Sequence, residues 1–507
     1  MLGVIPGLPR VTLNPDLVFF FFLPPLLYPA ALFTSWRDFR ANLRPILLLA
    51  VGLVLFTTMA TGFLLHYFIP ELPLAAGFVL GAIVSPPDAI AAMAVAEHVK
   101  LPRRIVTILE GESLVNDATA LVAFRFAVSA VATGSFSLGQ ATAQFFVVTL
   151  GAIALGLFVG FITAWIQKRI DEPPIEITLS LLTPFAAYLP AERLGVSGVL
   201  AVVVAGLYHG WQMPNITSSR TRLQAGPVWR MIEFLLQGFI FLLIGLQLPE
   251  VLRQVSGRSL LQLFWYALLI SVVVILIRIL WVFPATYLPR LISPGLRARD
   301  PFPAWQHVTL VSWTGMRGVV SLAAALALPL TMRDGSPFPG RELILLLTFV
   351  VILATLVVQG LSLPAVISWL GIKEDRLAEN EERQARLQAN RSALARIDEL
   401  VSSKDSMKFR PESVQRLRNE YEDRIQQLEK SDSWTGSRSR GLFPSDYDRL
   451  SRETLEVERK SILQLRDQLV INDEVLRKIQ RDIDLAEARL GEPVVEIRIP
   501  PSDYPIQ

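Results

Sequence analysis

Three short segments hold side chains whose types and spacing could handle an ion. The first reads Glu110-Gly-Glu112-Ser113-Leu-Val-Asn116-Asp117. Glu112 and Asn116 are four apart, as are Ser113 and Asp117, so on a helix each pair shares a face. The second reads Ser85-Pro86-Pro87-Asp88, where consecutive prolines remove two amide donors and break any helix, freeing carbonyls just before Asp88. The third, Gly315-Met-Arg317-Gly318, sets an arginine between glycines. Carboxylate, hydroxyl, amide and carbonyl oxygens suit protons and hard monovalent cations. The chain has no cysteine, so thiolate metal sites, thiolate nucleophiles and disulfides are excluded.

These segments lie in an apolar chain. Of 507 residues, 52% are hydrophobic and 18% charged, with a mean hydropathy of +0.44. Soluble domains carry about 25% charge, so an ordinary soluble enzyme is excluded. The net charge of +3 gives no case for nucleic acid. Eleven apolar runs approach the ~20 residues that cross a bilayer: 16–34, 45–69, 73–97, 104–131, 138–167, 175–190, 195–210, 229–248, 259–289, 304–330 and 342–370. Residues 1–372 hold 23 Lys/Arg and 17 Asp/Glu, whereas the far shorter 373–507 holds 25 and 28. This divides the chain into a membrane domain, 1–372, and a charged helical tail, 373–507.

Basic residues orient the spans. Loops after the odd-numbered spans up to the ninth carry thirteen Lys/Arg, among them Arg37, Arg40, Arg44, Arg103, Arg104, Arg290, Arg297 and Arg299. The alternate loops carry only Arg193, Arg253, Arg258, Arg333 and Arg341. The richer side is expected to be cytoplasmic, which puts the tail inside. Asp117 then lies about 20 Å along its helix from Arg104, near mid-membrane. Glu110 and Arg125 are read as snorkelling toward the interfaces.

An ionisable group at the bilayer centre costs at least about 2.5–3.5 kcal/mol, so the deep ones are candidates for function. Arg317 needs a carboxylate, and Asp88, Glu112 and Asp117 are the deep acids identified. If Glu112 neutralises Arg317, Asp88 and Asp117 remain for ions. Span 3 and span 10 are interrupted and run in opposite directions, which points to inverted repeats with a site at the midplane.

The segments Gly81–Ala91, Gly111–Asp117 and Gly315–Ser321 resemble the monovalent cation:proton antiporter family that includes the sodium/proton exchangers, in its bacterial branch. The resemblance covers roughly residues 15–370. It implies an all-α polytopic fold with inverted repeats and two crossed discontinuous helices, and a transporter rather than an enzyme. Asp117 would alternately hold cation and proton. Asn116, Ser113 and the broken helix around Asp88 (Ser85, Pro86, Pro87) would complete the site, with Asp117 and Ser113 as transient Na⁺ ligands. Glu112 and Arg317 would form a buried structural pair. Relatives commonly have Thr-Asp-Pro where this chain has Pro87-Asp88-Ala89, so a hydroxyl ligand at position 87 is replaced by backbone carbonyls. The Asn116-Asp117 pairing implies electroneutral exchange of one Na⁺, Li⁺ or K⁺ for one H⁺, serving pH and Na⁺ homeostasis at the plasma (inner) membrane. No cofactor is expected beyond the transported ions. The family also implies a homodimer and thirteen spans, so two amino-terminal helices are expected to be missing from the eleven. A K⁺/H⁺ antiporter and a gated cation channel regulated by the tail are the alternatives.

In the tail, Leu455, Ile462, Leu469, Leu476, Ile483 and Leu490 recur every seven residues, the pattern of a coiled coil. A second stripe, Val414, Leu417, Tyr421, Ile425 and Leu428, could be its partner across a loop at 431–445. His98, His209 and His307 lie at span ends, where ordinary interfacial histidines are expected.

Overall fold

The computed structural model describes residues 18–88, 101–134, 138–217, 219–254, 259–332, 335–372, 377–402, 411–430 and 485. Among these no strand occurs, and one isolated antiparallel bridge joins Thr331 to Pro337. The chain divides into two units, residues Met1–Arg376 and Leu377–Gln507.

In the first unit the apolar runs become helices. They are α1 Leu23–Phe33, α2 Leu43–Phe68, α3 Leu74–Val84, α4 Arg103–Thr133, α5 Leu138–Gln167, α6 Pro173–Arg193, α7 Gly198–Ile216, α8 Ser219–Gln254 and α9 Leu260–Ile292. The tenth run is split into α10 Trp305–Trp313 and α11 Val319–Leu326, and α12 covers Arg341–Leu370. Among the described residues, five of these helices are long and apolar enough to cross a membrane. Their ends follow local chemistry. The Ser197 hydroxyl accepts from the Leu200 amide at the start of α7. Gly134 and Gly371 take left-handed backbone where α4 and α12 stop.

Helix α3 is buried among α2, α4, α11 and α12. It lies against α2 through glycine: a Cβ at Gly81 would fall 2.5 Å from the Thr58 carbonyl oxygen. Close packing of this kind brings backbones together where lipid gives no hydrophobic drive. Outside this core, Phe158, Phe161, Leu276, Leu280 and Leu361 are exposed, a surface suited to lipid rather than water.

In the second unit, α13 Leu377–Ser402 packs on α14 Pro411–Lys430. Arg391 pairs with Glu429 at 2.7 Å and Arg418 with Asp398 at 3.3 Å, so the two run antiparallel. Val414, Tyr421, Ile425 and Leu428 are half-buried along α14. The heptad seam at 455–490 and the loop at 431–445 lie outside the described residues, Leu485 excepted.

Candidate ion-binding site

Helix α3 ends at Val84, and Ser85–Asp88 continue as non-helical chain because Pro86 and Pro87 cannot extend the ladder. Between α10 and α11, residues 314–318 are likewise non-helical. The two breaks cross, and the Asp88 amide donates to the Met316 carbonyl at 2.7 Å. The crossing is close because Gly318 has no side chain: a Cβ there would sit 2.0 Å from Asp88 Oδ2. The Asp88 carboxylate therefore stands at the first turn of α11, the positive end of that helix. The remainder of the third apolar run, with His98, lies outside the described residues.

Helix α4 brings the other acids. Asp117 is buried and within electrostatic reach of Asp88. The side-chain amide of Asn116 donates to the Pro87 carbonyl at 2.8 Å, tying α4 to the break. Its Oδ1 is buried and has no hydrogen-bond partner among the described residues, a costly state for an amide oxygen unless something occupies the site. Ser113 is half-buried one turn before Asp117. The carbonyls of Val84 and Pro87 each accept one protein donor, Arg317 Nε and the Asn116 amide. Asp117, Asp88, Asn116 and Ser113 supply the side-chain oxygens of this region.

The expected Glu112–Arg317 pair is not the one that forms. Glu112 is paired with Arg278 of α9, Nη1 to Oε1 at 2.5 Å and Nη2 to Oε2 at 2.8 Å, both residues buried. This two-pronged geometry matches a planar guanidinium to a carboxylate. Arg278 Nε and Nη2 also donate to the Val311 carbonyl at 3.2 and 3.0 Å, in the last turn of α10. Arg317 does the equivalent task for α3. Its Nε donates to Val84 O at 3.0 Å, and its Nη1 donates to Gly315 O. Each interrupted helix thus has a guanidinium at its carboxyl end, where the backbone leaves unpaired carbonyls and partial negative charge. The two arginines meet at Gly315, where a Cβ would fall 2.5 Å from Arg278 Cδ and 2.9 Å from Arg317 Nη1. A π-helical turn in α12, Thr355–Gln359, adds the Thr355 hydroxyl, which accepts the Arg317 amide at 3.0 Å.

Other expected residues settle elsewhere. Arg125 pairs with Glu192 at 2.7 Å. His209 is buried and shares a 2.5 Å hydrogen bond with the Tyr28 hydroxyl. His307 is half-buried. A further cluster joins the starts of α2 and α4 to the end of α9. Asp300 accepts from Arg104 at 2.8 Å and Arg290 at 2.5 Å, with Arg44 at 3.7 Å. Burial alone would raise the Asp300 carboxyl, but the hydrogen bonds and charges of Arg104 and Arg290 hold it below the usual carboxylate range.

The sequence pattern of the transmembrane region of sodium/hydrogen exchangers matches residues 1–369. A protein of Mycobacterium tuberculosis that bears the name uncharacterized Na(+)/H(+) exchanger is 40% identical over 97% of this chain and 90% of its own length. The sodium, potassium, lithium and rubidium/H(+) antiporter of Bacillus subtilis is 38% identical over 69% of this chain and 54% of its own. Among solved structures, the sodium proton antiporter MjNhaP1 of Methanocaldococcus jannaschii superimposes with a TM-score of 0.56. That match has 21% identity and covers 70% of this chain and 87% of MjNhaP1. This likeness carries the fold, two interrupted helices crossing inside a helical membrane domain. The sequence matches carry the family: this membrane protein belongs to the sodium/hydrogen exchangers of the monovalent cation:proton antiporter family.

Proposed function

We propose that the chain exchanges one Na⁺ for one H⁺ at Asp117, with no net charge moved, across the plasma membrane. The observation that supports this most is the division of charge at the crossing. Glu112 is neutralised by Arg278, and Arg317 is spent on α3. Asn116 cannot ionise, and its Oδ1, without a partner among the described residues, offers a neutral ligand. Asp88 stands at the positive end of α11, which matches a standing negative charge. One carboxylate, Asp117, is left to change occupants, so cation and proton compete for it. A homodimer, a cytoplasmic tail and a role in pH and Na⁺ homeostasis complete the reading.

The Bacillus subtilis relative, whose name includes potassium, lithium and rubidium, supports a wider cation range. The absence of a side-chain hydroxyl at Pro87 also favours a site less fitted to one ion radius. Purified protein in proteoliposomes, given gradients of Na⁺, Li⁺ or K⁺ with internal pH recorded, tests both points. Exchange with Na⁺ that runs at the same rate under a valinomycin potential of either sign is expected. A rate that climbs with one sign would mean that Asp88 or another acid also cycles.

A further inference from the structure

A cavity of about 590 Å³ lies within the membrane domain between α2 and α4 on one side and α5 and α7 on the other. Its volume is in the range of ligand sites, ~300–1,000 Å³. Its walls are almost wholly carbon, with Leu47 from α2, Ala118 from α4, Ile153 from α5 and Val204 from α7. From Phe145 to Leu157 it follows α5 for about 18 Å, long enough for most of a fatty acyl chain. Ion passage does not fit such walls. Val115, Ala118 and Thr119 face the cavity, whereas Asn116 and Asp117, on the same turns, do not line it.

One end has a different character. Trp36 and Phe39, stacked at 6.0 Å, come from a short helix, Trp36–Ala41, and face Tyr208 and Trp211 of α7. Trp and Tyr gather where a membrane meets water. The same short helix carries Arg37 and Arg40, both exposed, and Arg44 follows. The one acid of this stretch, Asp38, is shared by Arg103 at 2.6 Å and Arg37 at 3.3 Å, so the basic side chains outnumber it. Aromatic walls beside surplus positive charge suit a chain whose tail is apolar and whose head is anionic.

We propose that the cavity holds an acyl chain of an anionic phospholipid, its headgroup beside Arg37 and Arg40. The full chain, reconstituted in phosphatidylcholine vesicles with a trace of diazirine-tailed phosphatidylglycerol or diazirine-tailed phosphatidylcholine, provides the test. After illumination, labelled positions are mapped by mass spectrometry. Label is expected to concentrate at Thr149, Ile153 and Val204 at least fivefold over the exposed residues Leu276 and Leu280, and to be several-fold stronger for the glycerol headgroup. Val204→Trp, or independently Ile153→Trp, should fill the cavity and remove that excess while leaving label at Leu276 and Leu280, which also reports that the protein is folded. Arg37→Gln with Arg40→Gln should equalise the two headgroups. Label spread evenly over cavity and outer faces, or equal labelling by both lipids in the unaltered protein, would overturn the proposal. So would cross-links between two chains at the cavity residues, which would make a second copy the occupant.

Discussion

Glu112 and Arg278 meet face to face between α4 and α9, both buried, with two hydrogen bonds of 2.5 and 2.8 Å. The pair does more than cancel charge. Arg278 also holds the last turn of α10, so Glu112 fixes the guanidinium that fixes the interrupted helix. Losing one partner of a buried pair costs ~3–5 kcal/mol, because the other charge is left alone. Glu112→Gln or Arg278→Gln should therefore lower thermal stability strongly. The double change should recover part of the loss, whereas Glu112→Gln with Arg317→Gln should recover none. Thermal unfolding of the four purified variants checks this. Recovery in the Arg317 double variant instead would restore the pairing expected from the sequence.

Arg317→Gln should act on the crossing itself. It removes the donor to Val84 O and leaves a buried carbonyl without a partner, at ~1–3 kcal/mol. Exchange should fall by more than the stability loss explains, since α3 leads directly into Asp88. Arg317→Lys should restore little, because an ammonium lacks the planar fork that reaches both Val84 O and Gly315 O. Exchange rates at matched amounts of folded protein measure the effect, and full activity in the lysine variant would count against it.

Gly318→Ala adds one methyl group where Asp88 Oδ2 stands, 2.0 Å from the ideal Cβ position. The carboxylate has to move away from α11. The expected result is at least a tenfold loss of exchange, with an overpacking cost of only ~1–3 kcal/mol. Unchanged Na⁺/H⁺ exchange in a folded Gly318→Ala protein would show that Asp88 need not lie there.

Much of this site was legible in the sequence, and the reason is spacing. The i,i+4 pairs on α4, the double proline and the glycine-flanked arginine each have a local signature, and so the two breaks and Asp117 could be placed. The partner of Glu112 could not, because Arg278 and Arg317 lie on different helices and only the tertiary crossing decides between them. A signal for Arg278 was nonetheless present. It is a lone arginine deep in the apolar run 259–289, with the same energetic cost that drew attention to Arg317. The buried Tyr28–His209 bond had no such signal, since a histidine near a span end looks alike whether its ring faces headgroups or core.

The Asp300 cluster gives a pH dependence with a definite sign. The folded protein holds this carboxyl below its ordinary value of about 3.9, so the contribution to stability is present above about pH 4. It is lost as pH falls from there through the lower folded value. The difference in melting temperature between wild type and Asp300→Asn should stay constant from pH 7 to pH 5 and close below about pH 4. A difference that instead vanished on going up from pH 6 to pH 8 would contradict the assignment.

Asp117→Asn tests the central claim most directly. The substitution keeps the shape and removes the one carboxylate to which alternating occupancy is assigned. In proteoliposomes holding purified, monodisperse Asp117→Asn protein, an imposed Na⁺ gradient should move no protons above the protein-free background, although the variant melts at or above the wild-type temperature. Sodium-driven proton movement at the wild-type rate in that variant would contradict the account.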